Sequence, residues 1–170
     1  YGIGLAATEV FTALLEEQID VIKMLWTQPV VSFEGRFHKL DRVGINPLPT
    51  HAIPILIGSG AAEPVLRRVV RKADGWMPLL IPGLDPTDIG TAVTKLRRFC
   101  EEADRDPATL PIHGRVYIGP GWQAGLEQAM QLGFADCSIG FNRLAQPGLS
   151  HAEHLDAVIA AKSEIDRMVG

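Results

Sequence analysis

Cysteine is scarce in this chain, with two in 170 residues. Cys100 and Cys137 stand far apart and match no metal-ligand spacing, so neither a disulfide framework nor a thiolate metal site is expected. Both lie among apolar neighbours, the pattern of buried thiols in a reducing compartment, and a cytoplasmic location is the expectation. No apolar run approaches the ~20 residues of a membrane helix, and no segment reads as a signal peptide. Basic runs and stripes are missing as well. Sixteen Lys and Arg against 20 Asp and Glu leave a net charge of -4, which argues against a nucleic-acid partner. His38, His51, His151 and His154 have no carboxylate or cysteine at a metal-binding interval, so no metal site is expected. The order of residues supports no Ser-His-Asp or Cys-His arrangement, and catalytic residues stay unassigned. The first residues are "YGIG", which read as the end of a strand already under way; a piece of a longer chain is the expectation.

What is present is the composition of a globular domain: 46% hydrophobic and 21% charged residues, in a chain long enough for a sizeable core. Residues 8–26 carry Leu15, Ile19, Ile22, Leu25 and Trp26 at helical spacing, with Thr8 or Thr12 as the expected cap. Two short strands, Val30 to Phe33 and Arg36 to Leu40, are expected around a Glu34-Gly35 turn. From Ile53 onward strands and helices alternate. "IPILIG", "GWMPLL", "IHGRVYIG" and "ADCSIGF" read as strands, and helices are expected over 62–72, 85–106, 122–133 and 150–169, the last capped by Ser150. Such alternation predicts parallel strands joined by crossover helices. The whole of 1–170 is read as a single domain, with residues 28–52 as a hairpin and loop insertion.

Glycines mark two strand-to-helix junctions. In "ILIGSGAAEPVLRR" the apolar run stops at Gly58, and Ser59, Gly60, Ala61 and Ala62 precede the helix. A helix N-terminus exposes free N–H groups and the positive end of the dipole, so small residues there suit an anion. By itself the pattern favours a plain turn, because a lone glycine-rich junction is a weak motif. "IGPGW" gives a second junction, with Gly119 and Gly121 as a rival anion site. Trp76, at a strand end, reads either as the flank of a flavin-like ring or as core filler. In "IHGRVYIG", Ile112, Gly114, Val116 and Ile118 share one face, and His113, Arg115 and Tyr117 share the other. Arg115 calls for an acidic or phosphate partner, a structural ion pair being the simpler reading. Asn142 and Arg143 follow the last strand, as solvated loop residues or as contacts to an acidic group.

Three segments, "LEEQIDVIKMLWTQPVVSFEGRFHKLDRVGINPLP", "IPILIGSGAAEPVLRRVVRKADGWMP" and "DRDPATLPI", resemble the luciferase-like monooxygenase superfamily. The closest likeness is to its actinobacterial branch, which uses the deazaflavin coenzyme F-420. The resemblance covers nearly the whole chain and is most specific from Leu15 to Pro78. It implies an α/β fold, a TIM-type (β/α)8 barrel, here roughly strands four to eight, with the hairpin inserted before strand five. It also places the cofactor phosphate on Gly58, Ser59, Gly60, Ala61 and Ala62, and allows Trp76 to flank the ring. Two departures stand out. The family's first three strands have no counterpart, and "TEVFTALLEEQ" runs straight through where the family has a longer, Arg-containing loop. The glutamate used by the family's sugar-phosphate dehydrogenases would fall near Ala7, so that substrate is not expected.

The resemblance therefore implies a flavin-type oxidoreductase transferring hydride between the deazaflavin coenzyme and a small organic substrate. An FMN-dependent monooxygenase of the same superfamily is the alternative. From another class comes a non-catalytic half-barrel that binds cofactor weakly or only dimerises. Open sheet edges make a homo-oligomer, a dimer, the expected assembly.

Overall fold

The computed structural model describes residues 5–80, 89–119, 121–141 and 150–169. The chain forms two compact units, residues 1–55 and 56–170.

In the first unit, helix α1 spans Leu5–Thr27. It starts before both expected caps, because Leu5, Ala6 and Ala7 are themselves good helix formers and extend it N-terminally. Strands β1 (Val31–Glu34) and β2 (Lys39–Val43) pair antiparallel. The second strand starts later than its sequence pattern predicts, and Glu17 of α1 is the reason. Its carboxylate accepts the backbone N–H groups of Arg36 at 2.7 Å, Phe37 at 2.9 Å and His38 at 2.6 Å, and lies 2.9 Å from His38 Nδ1. Three successive amides wrapped around one anion are not available to a strand ladder.

The second unit alternates strand and helix, as the sequence predicts. Its elements are β3 (Leu56–Gly58), α2 (Glu63–Lys72), β4 (Gly75–Met77), β5 (Leu79–Leu80), α3 (Ile89–Glu102), a single 3-10 turn (Pro107–Thr109), β6 (His113–Ile118), α4 (Trp122–Gln131), β7 (Asp136–Phe141) and α5 (His151–Val169). Among the described residues every strand pair in this unit is parallel: β3 with β4, β5 with β6, and β6 with β7. "GWMPLL" is two strands rather than one, because Pro78 has no N–H for the ladder. The Pro78 carbonyl still accepts the Arg115 N–H at 3.2 Å, and a Trp76–Ile112 bridge ties β4 to β6.

Alternation along β6 divides the sheet into two faces, Gly114, Val116 and Ile118 being buried. The core also takes Leu66, Val69 and Val70 from α2, Leu96 and Phe99 from α3, and Leu126 from α4. Ser150 opens α5 with a reciprocal cap. Its Oγ accepts the Glu153 N–H at 3.3 Å, and its own N–H donates to the Glu153 carboxylate at 2.7 Å. At the far end of α2, Arg105 Nη1 donates to the carbonyls of Val70 at 2.7 Å and Ala73 at 2.9 Å. Its Nη2 reaches the Thr109 carbonyl at 3.1 Å. Among the described residues no helix is long and apolar enough to cross a membrane.

Two predictions follow from these anchors. Burial alone would raise the Glu17 carboxyl, but the His38 bond and the three backbone N–H groups outweigh it and hold it below the usual carboxylate range. The attachment is therefore complete above the unfolded-state value of about 4.3 and is lost as pH falls through the lower folded value. In an NMR pH titration the Arg36, Phe37 and His38 amide protons should shift upfield together with a midpoint below ~4.3, and Glu17→Gln should shift them at every pH. A midpoint at or above the free-glutamate value would contradict this. Arg105→Ala should cost about 1.5–3 kcal/mol in urea unfolding, because it leaves partly buried helix-end carbonyls without a charged donor. An unchanged midpoint would mean that water replaces the guanidinium fully.

Candidate functional site

The turn between β3 and α2 runs over Ser59 to Ala62. Ala62, the N-cap of α2, is extended (φ -62°, ψ 138°), and no side chain caps the helix. Among the described residues, the backbone N–H groups of Gly60, Ala61, Ala62 and Glu63 have no partner. Of these only Glu63 belongs to the helix; Pro64 has no N–H, and the Val65 and Leu66 N–H groups donate to the Ala62 carbonyl at 2.9 and 3.0 Å. A Cβ on Gly60 would meet nothing within 4 Å, and Gly60 is not left-handed. The turn itself therefore does not need glycine there. What the missing side chain leaves is open access to the free N–H groups. Glu63, whose carboxylate would compete with an anion, is engaged by Arg67 Nε at 2.9 Å, and Arg67 Nη1 also binds Glu102 at 2.8 Å. The donor set and the open approach suit a phosphate, for which a helix dipole supplies about 0.3–2 kcal/mol.

Ser59 is fixed from two sides. Its N–H donates to the Met77 carbonyl at 3.3 Å, and its Oγ accepts the Trp76 indole N–H at 3.1 Å. Trp76 is 0% exposed. The Ile57–Trp76 register and the Trp76–Ile112 bridge place its side chain on the sheet face of buried Ile57 and Ile112. Trp76 thus lies in the core and has no free surface on which a ring could stack. Of the six residues the sequence singles out, Gly58, Ser59, Gly60, Ala61 and Ala62 form the turn, and Trp76 braces it.

On the other face of the sheet is a cavity of about 420 Å³ lined by Leu56, Met77, His113, Arg115, Asp136 and Ser138, among others. His113 Nδ1 lies 2.9 Å from Asp136 Oδ2 across the β6–β7 register. This engages one ring nitrogen and leaves Nε2 as the free one. Arg115 sits 5.2 Å from the centroid of the Tyr117 ring, and among the described residues no carboxylate pairs with it. Gly140 clears space for that ring, since its Cβ would stand 3.3 Å from Tyr117 Cε1. An unpaired guanidinium and an oriented imidazole on one concave face can hold an anionic or carbonyl-bearing group.

The rival junction also opens a helix without a side-chain cap. Gly121 caps α4 in the left-handed region at φ 76°. The Trp122 and Ala124 N–H groups are already spent on the Gly119 and Gly121 carbonyls, at 3.2 and 3.1 Å. Asn142 and Arg143 lie outside the described residues. Burial pushes the thiols of Cys100 and Cys137 up, so neither is a ready nucleophile at neutral pH.

Two features escaped the sequence pattern. The Trp76–Ser59 bond joins residues 17 apart and becomes visible only once the parallel register sets Gly58 beside Met77. The His113–Asp136 pair needs the β6–β7 register in the same way.

Comparison with known proteins agrees with this architecture. An uncharacterized protein of Mycobacterium tuberculosis is 33% identical over 128 residues, which is 75% of this chain and 42% of the relative. An F420-dependent glucose-6-phosphate dehydrogenase of Nakamurella multipartita is 38% identical over 66 residues, 38% of this chain and 19% of the relative. The chain thus spans half or less of the length of the curated relatives it matches. A solved F420-dependent secondary alcohol dehydrogenase, in complex with an F420-acetone adduct, superposes with a TM-score of 0.56 at 19% identity, over 71% of this chain and 37% of its own. At that identity the likeness is one of fold. The sequence profile of the luciferase-like monooxygenases matches residues 3–167, and the chain belongs to that family.

Proposed function

We propose that this chain forms the cofactor-phosphate seat and one wall of the substrate site in an oxidoreductase that uses the deazaflavin coenzyme F-420. The observation that carries this reading is the turn after β3, where the N–H groups of Gly60, Ala61, Ala62 and Glu63 lack partners among the described residues and a Cβ on Gly60 would meet nothing within 4 Å. The turn lies at the carboxyl end of a parallel strand, where α/β folds place their ligands. An F420-dependent protein among the curated relatives supports this reading.

When bound, the deazaflavin supplies the hydride chemistry. The chain's own residues do the rest. The turn holds the phosphate and so fixes the long axis of the cofactor. The helix dipole and the Ser59 hydroxyl would stabilise its charge without a lysine or arginine in the turn. On the concave face, His113 is kept in one orientation by Asp136 and can hold or accept a proton at Nε2, and Arg115 can orient a small substrate bearing an anionic or carbonyl group.

The test is calorimetric titration of the chain with F-420 and, separately, with FMN. F-420 should bind, and Gly60→Glu should weaken it about tenfold or more, by filling the seat with a like charge, while leaving the thermal midpoint unchanged. Gly121→Ala should do the reverse, costing about 1–2 kcal/mol of stability because φ there is left-handed, with F-420 affinity intact. An F-420 affinity indifferent to Gly60→Glu would sink the assignment of the seat. Tighter binding of FMN would transfer the same seat to the flavin-dependent branch of the family.

A further inference from the structure

The cavity on the β6–β7 face carries two recognition groups of opposite kind. The first is the His113 ring, which is held from both sides. Its Nδ1 lies 2.9 Å from Asp136 Oδ2, and its Cδ2 rests against Gly75, where a Cβ would stand only 3.2 Å from it. Both held atoms are bonded to Cγ, so the free edge of the ring is Cε1–Nε2. An ionised carboxylate can only accept, so Nδ1 carries the proton, and Nε2 of the neutral ring is a bare acceptor. The second group is Arg115, two residues further along the same strand face, about 6.5 Å away by strand rise. Its cross-strand neighbours are Leu79 and Ser138, neither of them charged. Among the described residues the one carboxylate lining the cavity is Asp136, and it is already bonded to His113.

We propose that this cavity binds a 2-hydroxy acid, with Arg115 on the carboxylate and His113 Nε2 accepting the hydrogen bond of the 2-hydroxyl. This rests on the reading of the concave face as a substrate wall and does not depend on the turn after β3. The planar guanidinium fork matches a carboxylate with two parallel bonds. A single guanidinium suits a monoanion, whereas a dianion would leave one charge uncompensated. The bare Nε2 requires a donor, which a hydroxyl supplies; a keto oxygen on the same carbon would set two acceptors face to face. The two groups of a 2-hydroxy acid sit on adjacent carbons, within reach of side chains that rise side by side from one strand. A cavity of about 420 Å³ is the size of a small-molecule site.

The test is an NMR titration of the full chain at pH 8 with lactate, pyruvate, propanoate, 1-propanol and inorganic phosphate as probes. Lactate should bind saturably and shift the Arg115 Nε–H and His113 ring ¹⁵N signals. Propanoate, which lacks the hydroxyl, and pyruvate, which replaces it with an acceptor, should each bind about fivefold or more weakly. 1-Propanol, which lacks the carboxylate, should not bind saturably. These comparisons use the unaltered chain, so they do not depend on whether a variant folds. Arg115→Gln should then weaken lactate and propanoate alike, about tenfold or more, with partial recovery in Arg115→Lys. His113→Phe should bring lactate down to the level of propanoate and leave propanoate within about twofold.

Propanoate or pyruvate binding as tightly as lactate, or phosphate binding more tightly, would overturn the assignment of a 2-hydroxy acid. So would lactate that leaves the His113 and Arg115 signals unmoved. Either failure is separable from failure of the cofactor reading. If F-420 binds and is weakened by Gly60→Glu while lactate fails, only the substrate class falls. If lactate binds as described and F-420 does not, the 2-hydroxy-acid site stands and the cofactor assignment falls.

Discussion

The second unit hangs on one buried indole. Trp76 is in register with Ile57 of β3, bridges to Ile112 just before β6, and reaches Ser59 in the turn. It therefore joins the β3–β4 pair to the three-stranded β5–β6–β7 sheet at the point where Pro78 interrupts the ladder. A proline in a central position would ordinarily weaken a sheet. Here the break is spanned by a large apolar side chain and by the Pro78 carbonyl, which still accepts the Arg115 N–H. The same residue that repairs the sheet also fixes the geometry of the turn that follows β3. Sheet and turn thus share one support at Ser59, and just beyond it a Cβ on Gly60 would meet nothing within 4 Å.

Helix α2 shows the same division of labour along its axis. Its C-terminal carbonyls are held by the guanidinium of Arg105, and Arg67 on its flank binds both Glu63 and Glu102 while lying 3.9 Å from the centroid of the Phe99 ring. Its N-terminus carries no side-chain cap. An uncapped helix start costs stability, typically about 1 kcal/mol against a Ser or Asp cap. That cost is left unrelieved at the start of α2, whereas α5 opens with a complete Ser150–Glu153 box. Helix α4 likewise opens without a side-chain cap, on Gly121.

Much of the scaffold was legible because periodicity records burial. Alternation along "IHGRVYIG" separates buried Val116 and Ile118 from Arg115, and the continuous apolar run of "IPILIG" marks a strand whose core residue, Ile57, is buried. Hydrogen bonds between segments distant in sequence leave no such record. The late start of β2 follows from Glu17, nineteen to twenty-one residues away, capturing the amides of Arg36 to His38. Trp76 is the sharpest case: its strand-end position was readable, but which face it takes depends on register, and register placed it in the core. The turn of Gly58 to Ala62 stood out by composition, whereas the hydrogen bonds that its neighbours make back to the Ala62 carbonyl became visible only in the fold.

The central claim, that the turn after β3 is the phosphate seat, is tested most directly by where bound F-420 perturbs the backbone. In a ¹H–¹⁵N titration of the full chain, the account predicts that the largest amide shifts fall on Ser59 to Glu63, with Trp122 to Ala124 nearly still. Largest shifts at Trp122 to Ala124, or shifts spread over the surface without a maximum at the β3–α2 turn, would contradict it.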